Sequence, residues 1–260
     1  MATSGKALAL ITGASAGIGR EFAQVFAQQG HDLVLVARSG AKLRALADEL
    51  AARHGVRCTG IAADLSSAAA ARKLFDQVAA KKIEVGVLVN NAGVLHEGPF
   101  TETALDDHLQ LLALNVVGLT ALTHLFVGPM IERRSGRILN VSSVSAFQPV
   151  PRLASYAASK AYVLSLTEAL SVELEGTGVT ATALCPGFTD TDMVKKDDGG
   201  RMSVPLVPNL SPQEVARDGY RACMQGTPVH INGLTNQLAV ELGRLAPRWL
   251  QRAVSGSIRF

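Results

Sequence analysis

Cysteine is scarce. Cys58, Cys185 and Cys223 form an odd set in 260 residues and show no Cys-x-x-Cys spacing. That argues against a disulfide framework or a zinc site, and for a reducing, cytoplasmic compartment with no bound metal. Charged residues make up only 18% against 48% hydrophobic, too little charge for a disordered chain and enough apolar material for a substantial core. No apolar run approaches the ~18 residues of a membrane span. The apolar start, Lys6-Ala-Leu-Ala-Leu-Ile-Thr12, runs straight into a glycine-rich turn without a cleavage-like site, and it reads as a strand rather than a signal peptide. Linkers rich in Pro, Gly or Ser, low-complexity tracts and repeats are all missing, so 1–260 reads as one domain, a size common for α/β folds.

The formal net charge of +3 has a location. Residues 235–260 hold Arg244, Arg248, Arg252 and Arg259 against Glu241, and the remaining 234 residues balance at 21 basic and 21 acidic. No basic groove for nucleic acid is expected outside that tail.

Apolar runs alternate with helical patterns along the chain. Strands are expected at 6–12, 32–37, 57–62, 85–90, 136–142, 179–185 and 229–231. Helices are expected at 17–29, 40–53, 67–81, 102–133, 153–175 and 211–225. Strand–helix alternation with near-continuous apolar strands implies an α/β fold: a Rossmann-type, doubly wound parallel sheet of about seven strands covered by helices on both faces.

Gly13, Gly17 and Gly19 follow the first strand and open a helix, which permits a tight turn and close approach of backbone to a pyrophosphate. Gly13-Ala-Ser15-Ala-Gly17 also satisfies the Gly-x-Ser-x-Gly elbow of serine hydrolases, with Asp218 and His230 available as partners. The second strand ends in Ala37-Arg38; a carboxylate there would suit the ribose diol of NAD, whereas an arginine suits the 2′-phosphate of NADP.

Tyr156 and Lys160 stand four apart on an expected helix and so share a face. An ammonium at ~4 Å favours a phenolate by up to ~4 kcal/mol at an effective dielectric of ~20, or roughly three pKa units before desolvation intervenes. Such a tyrosine could exchange a proton with an alcohol or carbonyl oxygen. Ser143, at the end of an expected buried strand, would face that helix; it could equally cap a loop.

Thr12-Gly-Ala-Ser-Ala-Gly-Ile-Gly19, Asp64-Leu65, Asn90-Asn-Ala-Gly93, Asn115, Ser143 with Tyr156 and Lys160, and Pro186-Gly187 occur in the order of one family. Over about residues 6–194 the chain resembles the short-chain dehydrogenases/reductases in their short form. The resemblance implies an NADP(H)-dependent enzyme, with NAD(H) the lesser alternative, that interconverts a ketone or 3-oxoacyl group and a secondary alcohol. It places cofactor contacts at Gly13, Ser15, Gly17, Ile18, Gly19, Arg38, Asp64, Leu65, Asn91, Ala92, Gly93, Tyr156, Lys160, Pro186, Gly187 and Thr191, with Thr189 close enough to compete with Thr191. It makes Ser143, Tyr156, Lys160 and Asn115 the catalytic set, Asn115 opening a local kink in its helix. Asp64 could instead cap a helix, and Asn115 could be a satisfied core amide. A non-catalytic NADP-binding scaffold remains the third class.

Residues 188–210 carry glycines, prolines and mixed charge, and look like a substrate loop. Phe147, Leu153, Phe188 and Met193 are expected to line an apolar substrate site, for a small-molecule or acyl-thioester carbonyl. Beyond Asn232-Gly233 the chain departs from bacterial ketoacyl-carrier-protein reductases. Leu238, Leu242, Leu245 and Trp249 form one face of an amphipathic segment and Arg244, Arg248 and Arg252 another, with Pro247 starting a second short helix. The plainer expectation is a helix that packs on the domain and shows a solvated face. The sharper one is contact with an anionic membrane or an acidic acyl carrier. A homodimer or homotetramer is implied, the dimer through helices 102–133 and 153–175.

Overall fold

The computed structural model describes residues 6–194 and 209–257. Seven strands form one parallel sheet: β1 Leu8–Thr12, β2 Leu33–Ala37, β3 Cys58–Ala62, β4 Val85–Asn90, β5 Gly136–Val141, β6 Val179–Cys185 and β7 Val229–Ile231. Their order is β3-β2-β1-β4-β5-β6-β7. The chain lays strands outward from β1 in one direction and then, from β4 on, in the other. The reversal opens a crevice past the carboxyl ends of β1 and β4, where such sheets bind ligands.

Helices cover both faces because the central strands are buried on both sides. On one face Phe22 and Phe26 of α1 (Gly17–Gln28), Leu43 and Leu50 of α2 (Gly40–His54) and Val215 and Cys223 of α7 (Pro212–Gln225) pack together. On the other, Leu74 and Val78 of α3 (Ala68–Ala80) meet Leu122, Phe126 and Met130 of α5 (Leu119–Glu132). The helix α6 (Ala154–Glu173) lies against β5 and β6. Local chemistry sets the helix ends. Ser39 and Ser67 accept hydrogen bonds from first-turn amides of α2 and α3, Ser211 and Glu214 form a capping box for α7, and Gly55 and Gly226 end α2 and α7 in the left-handed region.

The expected helix 102–133 is α4 (Leu105–Leu112) and α5 joined through a π-helical segment, Ala113–Gly118. The wider π turn falls at Asn115, where the resemblance implied a local irregularity of the helix. By length and composition Leu105–Glu132 is long and apolar enough to cross a membrane, with an 18-residue stretch of mean hydropathy 1.8. Its apolar residues are interrupted by Asn115, Thr120, Thr123 and His124, so no unbroken run exists, and α5 packs on β4, β5 and α3 as a layer helix.

The C-terminal segment is two helices, α8 (Leu234–Leu245) and α9 (Arg248–Ser257), the second starting after Pro247 as expected. α8 packs on the domain and shows a solvated face, as the plainer expectation has it, but the face turned to solvent is the leucine one. Asn236 and Val240 face inward, while Leu238, Leu242, Leu245 and Trp249 are 63–85% exposed. Most of the expected substrate loop, 195–208, lies outside the described residues.

Candidate active site

The crevice starts with Thr12. Its buried hydroxyl accepts from the backbone N–H groups of Asn91 and Ala92, both at 3.0 Å, and donates to the Val89 carbonyl. The Asn91 amide donates to the Thr12 carbonyl at 3.0 Å. One threonine thus fastens the ends of β1 and β4 together. Asn90 is structural: its amide donates to Thr123 and to Asn140 inside the core.

Gly13 and Gly17 take positive φ, +68° and +52°. A side chain on Gly19 would run into the Gly13 carbonyl, and one on Gly13 would meet the Asn91 amide at 2.7 Å. The glycines therefore hold the turn flat against the start of α1. Ala16 at the head of that helix supplies no side-chain cap, unlike Ser39, Ser67 and Ser211, so the first N–H groups of α1 have no side-chain acceptor.

A cavity of about 420 Å³ opens there. Gly13, Ser15, Gly17, Ile18, Arg38, Asp64, Leu65, Asn91, Ala92, Gly93 and Thr191 all line it. Lys42, Gln110 and Leu114 also line it and were not anticipated; nothing but their positions beside motif residues could have signalled them. A second cavity of about 570 Å³ shares Ser15, Gly17, Lys42 and Thr191. Asp64 does not cap α3, since Ser67 does. Its carboxylate accepts from the Ser66 backbone, and the Ser66 hydroxyl first, then that amide, helped by Arg38, hold it below the usual carboxylate range. Thr189 is buried with its hydroxyl on the Gly187 carbonyl, which leaves Thr191 as the threonine in the cavity.

Pro186 and Gly187 do not line the cavity. Pro186 accepts from Val144 N–H, and Gly187 leaves room for the Asn236 side chain of α8. A glycine turn, uncapped helix amides, and Ser15, Arg38 and Lys42 in the lining suit a nicotinamide dinucleotide: backbone donors for a pyrophosphate and cations for a further phosphate.

Beyond Gly93 the catalytic candidates gather. A Cβ on Gly93 would lie 3.1 Å from Asn115 Oδ1 and 3.7 Å from Lys160 Nζ, so both side chains converge on it. Asn115 is buried and satisfied: Oδ1 accepts from Val94 N–H at 2.9 Å, and Nδ2 donates to the Val94 carbonyl and to Ser159 Oγ. Ser159, also unanticipated, donates in turn to the Tyr156 carbonyl. Ser143 follows β5 and caps the short turn Val144–Phe147 by accepting from Ser145 N–H. Its hydroxyl also engages the Tyr156 phenol.

Tyr156 packs with Leu153, Phe188, Leu95 and Val150, an apolar wall. Of the other expected wall residues, Met193 lines the cavity, whereas Phe147 belongs to a separate cluster under Arg244.

The electrostatics of the pair differ from expectation. Lys160 Nζ sits 5.6 Å from the Tyr156 ring centre and donates to the Val141 carbonyl at 2.8 Å. Burial pushes the phenol up to about 12, with the Ser143 hydroxyl pulling the other way, and burial lowers Lys160 from 10.5 to about 8. The ammonium does not lower the phenol here. Desolvation outweighs a charge that is spent on a backbone carbonyl.

The hydrolase constellation is not assembled. His230 is on β7, four strands from β1, or about 19 Å at ~4.8 Å per strand. Asp218 is engaged with Asn232 and Arg221.

The family model of the short chain dehydrogenases matches residues 7–201. A short chain dehydrogenase of Pseudocercospora fijiensis is 39% identical over 192 residues, which span 73% of this chain and 62% of that protein. A 3-oxoacyl-(acyl-carrier-protein) reductase of Aquifex aeolicus is 31% identical over 237 residues, 87% of this chain and 96% of that one. Among solved structures, a short-chain dehydrogenase from Sphingobium yanoikuyae in complex with NADPH superposes with a TM-score of 0.81 at 30% identity, covering 98% of this chain and 97% of the other. This chain belongs to the short-chain dehydrogenase/reductase family and is an oxidoreductase of it.

Proposed function

We propose an NADP(H)-dependent reductase or dehydrogenase that interconverts a carbonyl, a ketone or 3-oxoacyl group, and a secondary alcohol. The observation that carries the reading is convergence: the Lys160 ammonium and the Asn115 amide meet at Gly93 in the cavity wall, Lys160 lies against the Tyr156 ring, and the Ser143 hydroxyl engages the Tyr156 phenol. When bound, the nicotinamide supplies or accepts the hydride. Ser143 holds the substrate oxygen by a hydrogen bond, and Tyr156 gives that oxygen its proton, or takes it back in the oxidative direction. A phenol that stays protonated up to about 12 is in the right form to donate. Lys160, buried beside the ring with a pKa lowered to about 8, binds the ribose and returns the proton to Tyr156. Asn115 and Ser159 hold Val94 and the Tyr156 turn in place, and the π segment gives Asn115 its inward aim.

Arg38, with Ser15 and Lys42 in the same cavity lining, supports NADP over NAD. The Sphingobium relative holds NADPH. Leu153, Leu95 and Phe188 favour an apolar substituent next to the reacting carbonyl. Self-association belongs to the same reading: Leu105, Leu109, Val117, Tyr162 and Val172 leave apolar surface exposed on α4–α6, a face suited to a second copy. The reading also keeps 1–260 as one domain in the reducing cytoplasm, with all three cysteines as free thiols.

The test is Tyr156→Phe with NADPH oxidation followed across ketones and 3-oxoacyl thioesters. NADPH binding is expected to persist while turnover falls by about 10²–10⁴-fold. Turnover retained in the variant refutes the assignment. NADPH bound by wild type without turnover on any substrate would restore the scaffold reading.

A further inference from the structure

We propose that α8 and α9 form a docking face for an anionic phospholipid bilayer, so that the protein works as a peripheral membrane enzyme. This inference rests on the C-terminal helices alone and does not depend on the reaction.

At 100° per residue, Leu234, Leu238, Leu242 and Leu245 fall within an arc of about 80° on α8. They are 65–85% exposed, and the inward face, Asn236 and Val240, lies on the opposite side. The inward face is fixed. Asn236 donates to the Asn232 carbonyl and fits over Gly187, and Val240 packs with Leu164, Cys185 and Ile231. The helix cannot roll to bury its leucines without expelling Val240 and breaking the Asn236 contacts. Four residues beyond Leu245, Trp249 is 63% exposed on α9. Gln251 donates to the carbonyls of Gly243 and Ala246, which ties α9 to the end of α8 and fixes the angle between them. The surface is therefore preformed. Contiguous apolar surface of this kind marks an interaction site.

Charge selects the occupant. Residues 235–260 carry the chain's entire formal excess of +3, and Arg248 and Arg252 lie exposed one turn apart on α9 beside Trp249. Leucines and a tryptophan flanked by arginines match the boundary between acyl chains and anionic headgroups, where an amphipathic helix lies flat. A second copy docked symmetrically on the same face would set arginines against arginines. An acidic carrier protein would meet the arginines and leave the leucines in water. The docked helix also packs against the Val144–Phe147 turn that follows Ser143, so the membrane would lie beside the substrate side of the site.

The probe is vesicles of phosphatidylcholine and phosphatidylglycerol in equal parts, with pure phosphatidylcholine as control. Trp249 is the one tryptophan in the chain, so its emission reports this face alone. The full-length protein is expected to float with the anionic vesicles, its emission shifting to the blue and quenched by brominated acyl chains. Leu238→Glu with Leu242→Glu is expected to weaken partitioning at least about a hundredfold. Arg248→Glu with Arg252→Glu is expected to weaken it by roughly thirtyfold or more, as is high salt for wild type. All four side chains are exposed, so both variants should keep the wild-type melting temperature. Loss of fold in the leucine variant would show those side chains to be packed, and would overturn the proposal. So would unchanged Trp249 emission with no flotation, or a wild-type oligomer that the leucine variant dissociates while vesicles bind neither protein.

Discussion

Replacing Lys160 with methionine is expected to make the cofactor-free protein more stable and the enzyme inactive. Lys160 is 6% exposed, and burial lowers its pKa from 10.5 to about 8. At 1.36 kcal/mol per pKa unit, holding the ammonium in that site costs about 3 kcal/mol at neutral pH. Methionine fills a similar volume without charge, though it leaves the Val141 carbonyl without the 2.8 Å bond from Nζ, a loss of about 1 kcal/mol. The balance is a stabilisation of about 2 kcal/mol, or roughly 4–8 °C in Tm for a chain of this size. The pH dependence identifies the cause. Because the native pKa lies below the unfolded one, the unfolded chain binds more protons between pH 8 and 10.5, and wild-type stability rises across that window. Urea unfolding of both proteins at about pH 7 and about pH 10 should therefore show the variant's advantage shrinking as the pH rises. A variant that unfolds at or below the wild-type midpoint, or keeps the same advantage at both pH values, refutes the account of a strained, functionally retained cation.

Arg38→Asp should move the ratio of kcat/KM for NADP over NAD by at least about a hundredfold toward NAD, since it removes a phosphate partner and supplies a carboxylate for the ribose diol; an unchanged ratio would place the 2′-phosphate elsewhere. Gly19→Ala drives a methyl group into the Gly13 carbonyl and should lower stability by about 1–3 kcal/mol while weakening NADPH binding, checked by melting and by titration of the cofactor. If both stay at wild-type values, the turn has slack that its contacts do not show.

The architecture was legible because each strand is an apolar run with a polar or glycine stop. The strands β4, β6 and β7 fall on the expected residues, and the other strand ends lie within two positions of them. The cavity lining was legible for a different reason. Gly13, Asn91 and Gly93 are held by backbone geometry at the sheet's reversal point, and backbone demands leave strong marks on residue choice. Three features were not legible. Spacing places Tyr156 and Lys160 on one face but says nothing of what covers them, and coverage decided the direction of both pKa values. The expectation for α8 did not say which face packs inward; Asn236 over Gly187 and Val240 in the core leave the leucine stripe turned outward. The roles of Thr12 and Ser159 depend on partners at long sequence separation, Asn91 and Asn115, which no local pattern reveals.

The π segment Ala113–Gly118 has a mechanical consequence. Its Asn115 reaches the proton-handling end of the crevice, while at Gly118 the helix presses so close to the Leu65 carbonyl that no side chain fits between them. Leu65 belongs to the far wall, next to Asp64 and Arg38. One wide turn is therefore a keel to which both halves of the chamber are bolted. Straightening it by deleting a residue would move the Asp64–Leu65 wall and the Asn115 end together, so a defect that looked like poor cofactor affinity would arrive with a matching defect in turnover.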